Sequence, residues 1–226
     1  MSPKKEFILS KNLRFSIWFS LSFAMGLGLA ILFLGNETLF LLFNQYLTPQ
    51  LGFPARLFSW LGESWAMGFV LIFSLFTSLR NALLTGLCWL SGAIHSWVFK
   101  LWLCKGWPRP MAYFSERKIM LELVDGVKIH YWNSFPSGHT ITAFSLLVIL
   151  PILFPKFNKT GMLLLGLSAM SCGLSRIILV QHWPVDVLAG VFLGCSAALT
   201  SNWLGNKIFN NPILSQSFPE LIQRKT

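Results

Sequence analysis

The chain has 226 residues, 54% of them hydrophobic and only 12% charged, with 21 Phe and 10 Trp. So little charge excludes a soluble globular domain of this size and leaves an integral membrane protein. The formal net charge of +10 does not indicate a nucleic-acid partner, because the basic residues sort by membrane side rather than forming one patch.

A membrane-spanning helix needs about 20 apolar residues. Six stretches meet that need, roughly 15–35, 60–79, 82–101, 139–155, 161–181 and 184–204. They predict an all-α bundle of six transmembrane helices, a single membrane-embedded domain over 1–226. The first stretch follows the basic lead "KKEFILSKNLR". It exceeds the roughly 7 to 15 residues of a signal-peptide core and no small-residue cleavage site closes it, so it reads as a retained helix. Next comes "ETLFLLFNQYLTPQLGFPARLFSW", too polar to span and too apolar for a free loop. It predicts an interfacial helix after helix 1, broken near Pro49 and Pro54.

In the long polar connection 103–138, "MLELVDGVKIHY" alternates apolar and polar residues on both sides of Asp125-Gly126. Alternation flanking Asp-Gly predicts a small β-hairpin between helices 3 and 4. Cys88, Cys104, Cys172 and Cys195 have no C-x-x-C spacing, so neither a zinc site nor a disulfide framework is expected.

With the N-terminus in the cytoplasm, the cytoplasmic side carries Lys4, Lys5, Lys11, Arg14, Arg80, Lys156, Lys159, Lys207, Arg224 and Lys225 against Glu6 and Glu220. Arg56, Lys100, Lys105, Arg109, Arg117, Lys118, Lys128 and Arg176 face outward, against six acids. The short connections "SLRN" and "PKFNKT" contain no acid, as the positive-inside rule asks. Tyr46, Tyr113 and Tyr131, with Trp60, Trp107, Trp132 and Trp183, fall on the outer side as an interfacial aromatic belt.

The same topology gathers three polar clusters on the outer face: "KLWLCKGWPRP" (100–110), "PSGH" (136–139) and "SRIILVQHWPVD" (175–186). Arg176 and Asp186 lie at membrane depth or its edge, where charge is costly and usually functional. Lys100, Arg109 and Arg176 ask for an anion. Ser137 and the first backbone N–H groups of helix 4 add to the demand, and Gly138 allows a ligand close approach. Phosphate fits. His139 and His182 on the same face supply what phosphoryl transfer through an enzyme intermediate needs, one nucleophile and one acid. The outer face lacks the paired carboxylates of a magnesium site.

The pattern S-R-x-x-x-x-x-H-x-x-x-D in "SRIILVQHWPVD", with "PSGH" and a basic segment ending Arg109-Pro110 upstream, resembles the type 2 phosphatidic acid phosphatases, the lipid branch of the acid phosphatase and vanadium haloperoxidase superfamily. The resemblance implies that His182 attacks phosphorus, Asp186 holds its other ring nitrogen, and His139 protonates the leaving oxygen and then activates water. It implies that Lys100, Arg109, Ser137, Gly138 and Arg176 bind the phosphate, with no metal and no cofactor. The family's first motif has six residues between its lysine and Arg-Pro, whereas Lys100 has eight and Lys105 has three. Lys100, at the end of helix 3, is the expected counterpart. His95 is expected to pack between helices and His130 to lie in the hairpin.

The implied substrate is a membrane lipid phosphate at the outer face of the inner membrane, undecaprenyl pyrophosphate or lipid A 1-phosphate being favoured, with both termini cytoplasmic. Two other readings stand beside this one. A phosphotransferase would pass the group from His182 to another lipid, and a non-enzymatic transporter would line a path with Arg176 and Asp186.

Overall fold

The computed structural model describes residues 10–209 and 211–223, so Lys4, Lys5, Glu6, Arg224 and Lys225 of the charge pattern lie outside the described residues. Ten α-helices follow in chain order among the described residues: α1 (Lys11–Leu34), α2 (Asn36–Leu42), α3 (Thr48–Ser59), α4 (Ser64–Leu75), α5 (Leu79–Val98), α6 (Pro110–Glu116), α7 (Gly138–Leu153), α8 (Lys159–Ile178), α9 (Pro184–Ile208) and α10 (Phe218–Gln223). Their starts follow from local chemistry. The side chains of Ser10, Ser78, Ser137 and Asn158 accept first-turn N–H groups of α1, α5, α7 and α8, while Pro110 and Pro184 open α6 and α9 with a φ already suited to a helix.

Helices stand at all six predicted spans, but the lengths differ from expectation. Four are long and apolar enough to cross a membrane: Lys11–Leu34, Leu79–Leu103, Lys159–Ile178 and Pro184–Ile208. The pair Asn36–Gly62 and Ser64–Leu75, bent by 45°, brings the number to five if it is one span, and Gly138–Leu153 is a shorter apolar helix. The chain is a multi-pass membrane protein. Large apolar side chains such as Phe33, Trp65, Phe69, Leu90 and Phe192 are exposed on its outside, as lipid-facing residues are.

The helix after α1 is not broken at its prolines. Pro49 falls in the first turn of α3 and Pro54 inside it. The irregularities are a π-helical stretch at Phe43–Leu47 and a tight turn at Trp60–Gly62.

The predicted hairpin is also absent: no strand occurs among the described residues. The chain does turn at Asp125-Gly126, where Gly126 takes φ +72 and the Val127 N–H donates to the Val124 carbonyl, yet beyond that single bond the flanks bond to neighbours. Asn44 receives the Glu122 N–H and donates to the Glu122 carbonyl. Gln181 donates to the Lys128 carbonyl, and the Arg109 N–H to the Tyr131 carbonyl. The alternation is read by separate partners, with Val124 and Val127 packed on Ala55, Ile178 and Leu179.

Helix α7 is the centre of the bundle, with Phe144, Leu147, Val148 and Ile149 fully enclosed. It lies tightly against α9 because of two glycines four residues apart in "GVFLG". A Cβ at Gly190 would lie 2.7 Å from Thr140 Cβ, and one at Gly194 would lie 2.6 Å from the Ile141 carbonyl oxygen. Small residues at this spacing let helix backbones approach in a membrane.

One end of the bundle is fixed by Asn12 bonding the carbonyls of Pro155 and Phe157, and by Arg80 bonding Asn206. Lys11, Arg80, Lys156, Lys159 and Lys207 therefore share that end. At the other end, α4 and α7, with 12 and 16 residues, extend only about 18 and 24 Å, against a hydrocarbon core of about 30 Å. Their starts meet at that end, where Glu63 lies beside His139.

Candidate active site

His182 sits in the short turn between α8 and α9, only 2% exposed. The turn is sharp. Val180 takes φ +59, a conformation that costs a β-branched residue on the order of 1–3 kcal/mol. The turn lets the N–H groups of Gln181 and His182 both donate to the Arg176 carbonyl.

His182 Nδ1 lies 3.2 Å from Asp186 Oδ2, and the same oxygen accepts the Trp183 N–H at 3.0 Å and the Ser134 hydroxyl. Asp186 is the third residue of α9, one helical turn after His182, so the spacing of four brings the two side chains together.

Arg109 reaches the same imidazole from the other side. Its Nη1 donates to the Gln181 carbonyl at 2.7 Å and stands 3.4 Å from His182 Nε2, while Nε donates to the Trp132 carbonyl at 3.0 Å and Nη2 to that of Asn133 at 3.5 Å. The Trp183 indole N–H donates to the Pro108 carbonyl, tying this loop to the His182 turn. A guanidinium has no acceptor. Its approach to Nε2 therefore needs the lone pair on that nitrogen, with the ring proton on Nδ1 toward Asp186.

Burial, and then the cations Arg109, Lys100 and Arg176 and the His139 ring, push the ionisation of His182 well below the usual imidazole range. The ring is neutral at pH 7.

Lys100 belongs to the π-helical turn Phe99–Leu103 that closes α5. A Cβ at Gly138 would lie 3.9 Å from Lys100 Nζ, so the ammonium points at the start of α7. Lys105 is exposed in the following turn. Between Lys100 and Arg109 the chain runs through the π turn and past Gly106 at φ +78.

Arg176 donates to the Ser59 hydroxyl, while its buried Nε has no partner. It lines one cavity together with His139, Glu63, Lys128 and His130.

Ser137 is wholly buried as the cap of α7. It accepts from Thr140 N–H and, at 2.8 Å, from the Thr140 hydroxyl, so its own hydroxyl hydrogen remains to be donated. Its backbone N–H is taken by the Asp186 carbonyl, which leaves those of Gly138 and His139 to face an anion.

The eight residues singled out in the sequence thus fall on one end of the bundle. His182 is in direct contact with both Asp186 and Arg109, while Lys100 from the end of α5, Ser137, Gly138 and His139 from the start of α7, and Arg176 from the end of α8 surround them. His95 lies outside this group, and its buried Nδ1 has no partner. His130 is exposed, with its ionisation lowered first by partial burial and then by Arg109, Lys128 and Arg176. Among the described residues no three His, Cys, Asp or Glu side chains gather as ligands of a metal ion.

Two polar partners were missed. Ser134 lies two residues before Pro136 and nothing in its surroundings marks it. Glu63, whose Oε1 lies 3.1 Å from His139 Nε2, precedes a helix in "GES", where an acid ordinarily reads as a dipole partner.

In this helical membrane bundle a neutral imidazole is held against a buried carboxylate, with Arg109 in contact and Lys100 and Arg176 also acting on the ring, an arrangement able to receive an anion. The chain belongs to the PAP2 superfamily, whose family model matches residues 63–209. It is similar to the bacitracin transport permease protein BcrC of Bacillus licheniformis, with 47% identity over 76 residues, 34% of this chain and 36% of that protein. It is similar to the lipid A 1-phosphatase of Porphyromonas gingivalis, with 32% identity over 84 residues, 35% of this chain and 18% of that protein. The chain therefore spans about a third, and less than a fifth, of the length of these two curated relatives. Among solved structures it resembles Aquifex aeolicus LpxE, with a TM-score of 0.62 and 25% identity over 74% of this chain and 94% of that one.

Proposed function

We propose that the protein is a lipid phosphatase that works through a phosphohistidine at His182. The observation that carries this reading is the two-sided hold on His182, with Nδ1 on Asp186 and Nε2 toward Arg109. Nε2 then keeps its lone pair in the direction of the cations. As the Nε2–P bond forms, the bond from phosphorus to the leaving oxygen breaks, and His139 supplies that oxygen with a proton. Asp186 balances the charge that appears on the ring. Water then attacks phosphorus, His139 takes its proton, the P–N bond breaks, and its electron pair returns to His182.

Lys100, Arg109, Arg176, the Ser137 hydroxyl and the Gly138 N–H hold the equatorial oxygens, and Arg109 Nη1 moves from Nε2 onto one of them. Catalysis of phosphoryl transfer rests largely on such positioning and charge stabilisation. Three fixed cations supply the neutralisation that a divalent ion gives elsewhere, so the reaction is read as metal-independent.

The basic end of the bundle is placed in the cytoplasm and the site at the outer face of the inner membrane. The substrate is then an envelope lipid phosphate, with undecaprenyl pyrophosphate and lipid A 1-phosphate the leading candidates. A similar protein is named a lipid A 1-phosphatase, which supports the second. The test is phosphate release by the purified protein in detergent, with chelator present, from these two lipids, phosphatidylglycerol phosphate and phosphatidic acid. Release from at least one, inhibited by vanadate, is expected. Activity lost in chelator and restored by magnesium would overturn the metal-independent mechanism.

A further inference from the structure

Glu63 is the N-cap residue of α4, yet its side chain accepts no hydrogen bond from that helix. An acid at this place ordinarily serves the free N–H groups and the dipole of its own helix. Here Oε1 instead lies 3.1 Å from His139 Nε2. The close approach depends on the preceding residue, because a Cβ at Gly62 would lie 2.6 Å from His139 Cβ and 2.8 Å from its carbonyl oxygen. The two imidazoles thus each meet a carboxylate, but in different settings: the Asp186 side chain is 2% exposed and that of Glu63 50%.

We infer that Glu63 is a positioning residue for His139, holding its Nε2–H so that Nδ1 faces the reacting phosphoryl group and stabilising the ring when it carries both protons. This rests on the phosphatase reading above. In the first half-reaction the doubly protonated His139 gives its Nδ1 proton to the leaving oxygen as the bond from that oxygen to phosphorus breaks. The neutral ring keeps its remaining proton on Nε2, against Glu63. Its Nδ1 lone pair then takes a proton from water as the water oxygen bonds to phosphorus and the P–N bond breaks. Glu63 stays a carboxylate throughout.

The charged and titratable groups facing His139 are Arg176 and the Cys172 thiol from α8, Lys100 from the end of α5, His182 from the α8–α9 turn, Glu63, and Arg56, Lys128 and His130 across the shared cavity. Burial first, then Arg176 and Lys100, oppose protonation of the ring, and Glu63 is the carboxylate that favours it. Removing that carboxylate therefore lowers the pH at which the acid form is lost.

The test uses the purified full chain with whichever lipid phosphate it hydrolyses, comparing the wild type with Glu63→Gln and Glu63→Asp. For Glu63→Gln the expectation is a kcat lower by roughly 10- to 100-fold, with KM nearly unchanged. The alkaline limb of kcat/KM should move to lower pH by roughly one unit or more, and Glu63→Asp should restore part of both effects. A merely structural role would lower activity without moving the limb, so an unmoved limb in a folded variant overturns the role of Glu63 alone. If Glu63→Gln does not fold, the limb is read in Glu63→Ala, where an unmoved limb with wild-type kcat likewise overturns it. No phosphate release by the wild type overturns the phosphatase reading and this one with it.

Discussion

His182 and Asp186 are joined through Nδ1 and Oδ2 at 3.2 Å, and both are almost wholly buried. Because the carboxylate can only accept, it assigns the ring proton to Nδ1 and leaves Nε2 free to act. In Asp186→Asn the amide can present N–H instead and favour the other tautomer. Loss of such a partner in a catalytic triad costs about 10⁴-fold in kcat. A fall of roughly 100-fold or more in phosphate release is expected, with the protein still eluting as a folded species in detergent. Activity within a few-fold of wild type would show that Asp186 does not set the tautomer.

The pH dependence follows from the burial and cations that depress the ionisation of His182. A depressed imidazole stays neutral, and so nucleophilic, as the pH falls through the ordinary range near 6.5. The acid limb of kcat/KM is therefore expected below about pH 6.5, and should rise toward that value in Arg109→Gln, which removes the largest opposing charge. An acid limb at or above 6.5 in the wild type would contradict the cationic setting described for this ring.

The contact between α7 and α9 gives a stability prediction. Gly194→Ala places a methyl 2.6 Å from the Ile141 carbonyl oxygen and 3.0 Å from the Ser145 nitrogen, where backbone has to yield. Overpacking of this kind costs about 1–3 kcal/mol, so the midpoint of thermal unfolding in detergent should fall. Gly26→Ala on α1, with nothing within 4 Å of the added methyl, is the matched control and should leave the midpoint level or raise it. Equal midpoints for the two variants would count against the tight α7–α9 packing.

Sidedness is tested at Ser115, an exposed residue near the end of α6 on the site's end of the bundle. In a background without the native cysteines, Ser115→Cys should react with an impermeant thiol reagent from outside the inner membrane. Labelling only after that membrane is permeabilised would invert the topology.

The part of the site legible in the sequence is the part that an apolar helix has no other reason to contain. His139, Arg176, His182 and Asp186 are polar residues at the ends of apolar helices or in the turn between two of them, and the spacing of four between His182 and Asp186 matches one helical turn. Glu63 pairs with His139 across 76 positions, and its own neighbourhood offers a sufficient local reason for an acid, so nothing short-range marks it. The expected hairpin failed for a related reason. The alternation around Asp125-Gly126 is real, but it is satisfied by Asn44, Gln181 and a patch on α3 and α8, partners that tertiary structure supplies. The shortness of α4 and α7 was likewise masked, since apolar residues continue past both helix ends into turns.

The central claim is that His182 carries the phosphoryl group and His139 the proton, and trapping the phosphoenzyme tests it most directly. With a radiolabelled substrate that has a good leaving group, His139→Ala loses an acid worth about 100- to 10,000-fold, but His182 can still be phosphorylated. Hydrolysis of that intermediate is then slow, because the same imidazole activates water. The account predicts an acid-labile, base-stable label that accumulates in His139→Ala and is absent from His182→Ala. Label retained in His182→Ala, or lost only when His139 is replaced, would contradict it.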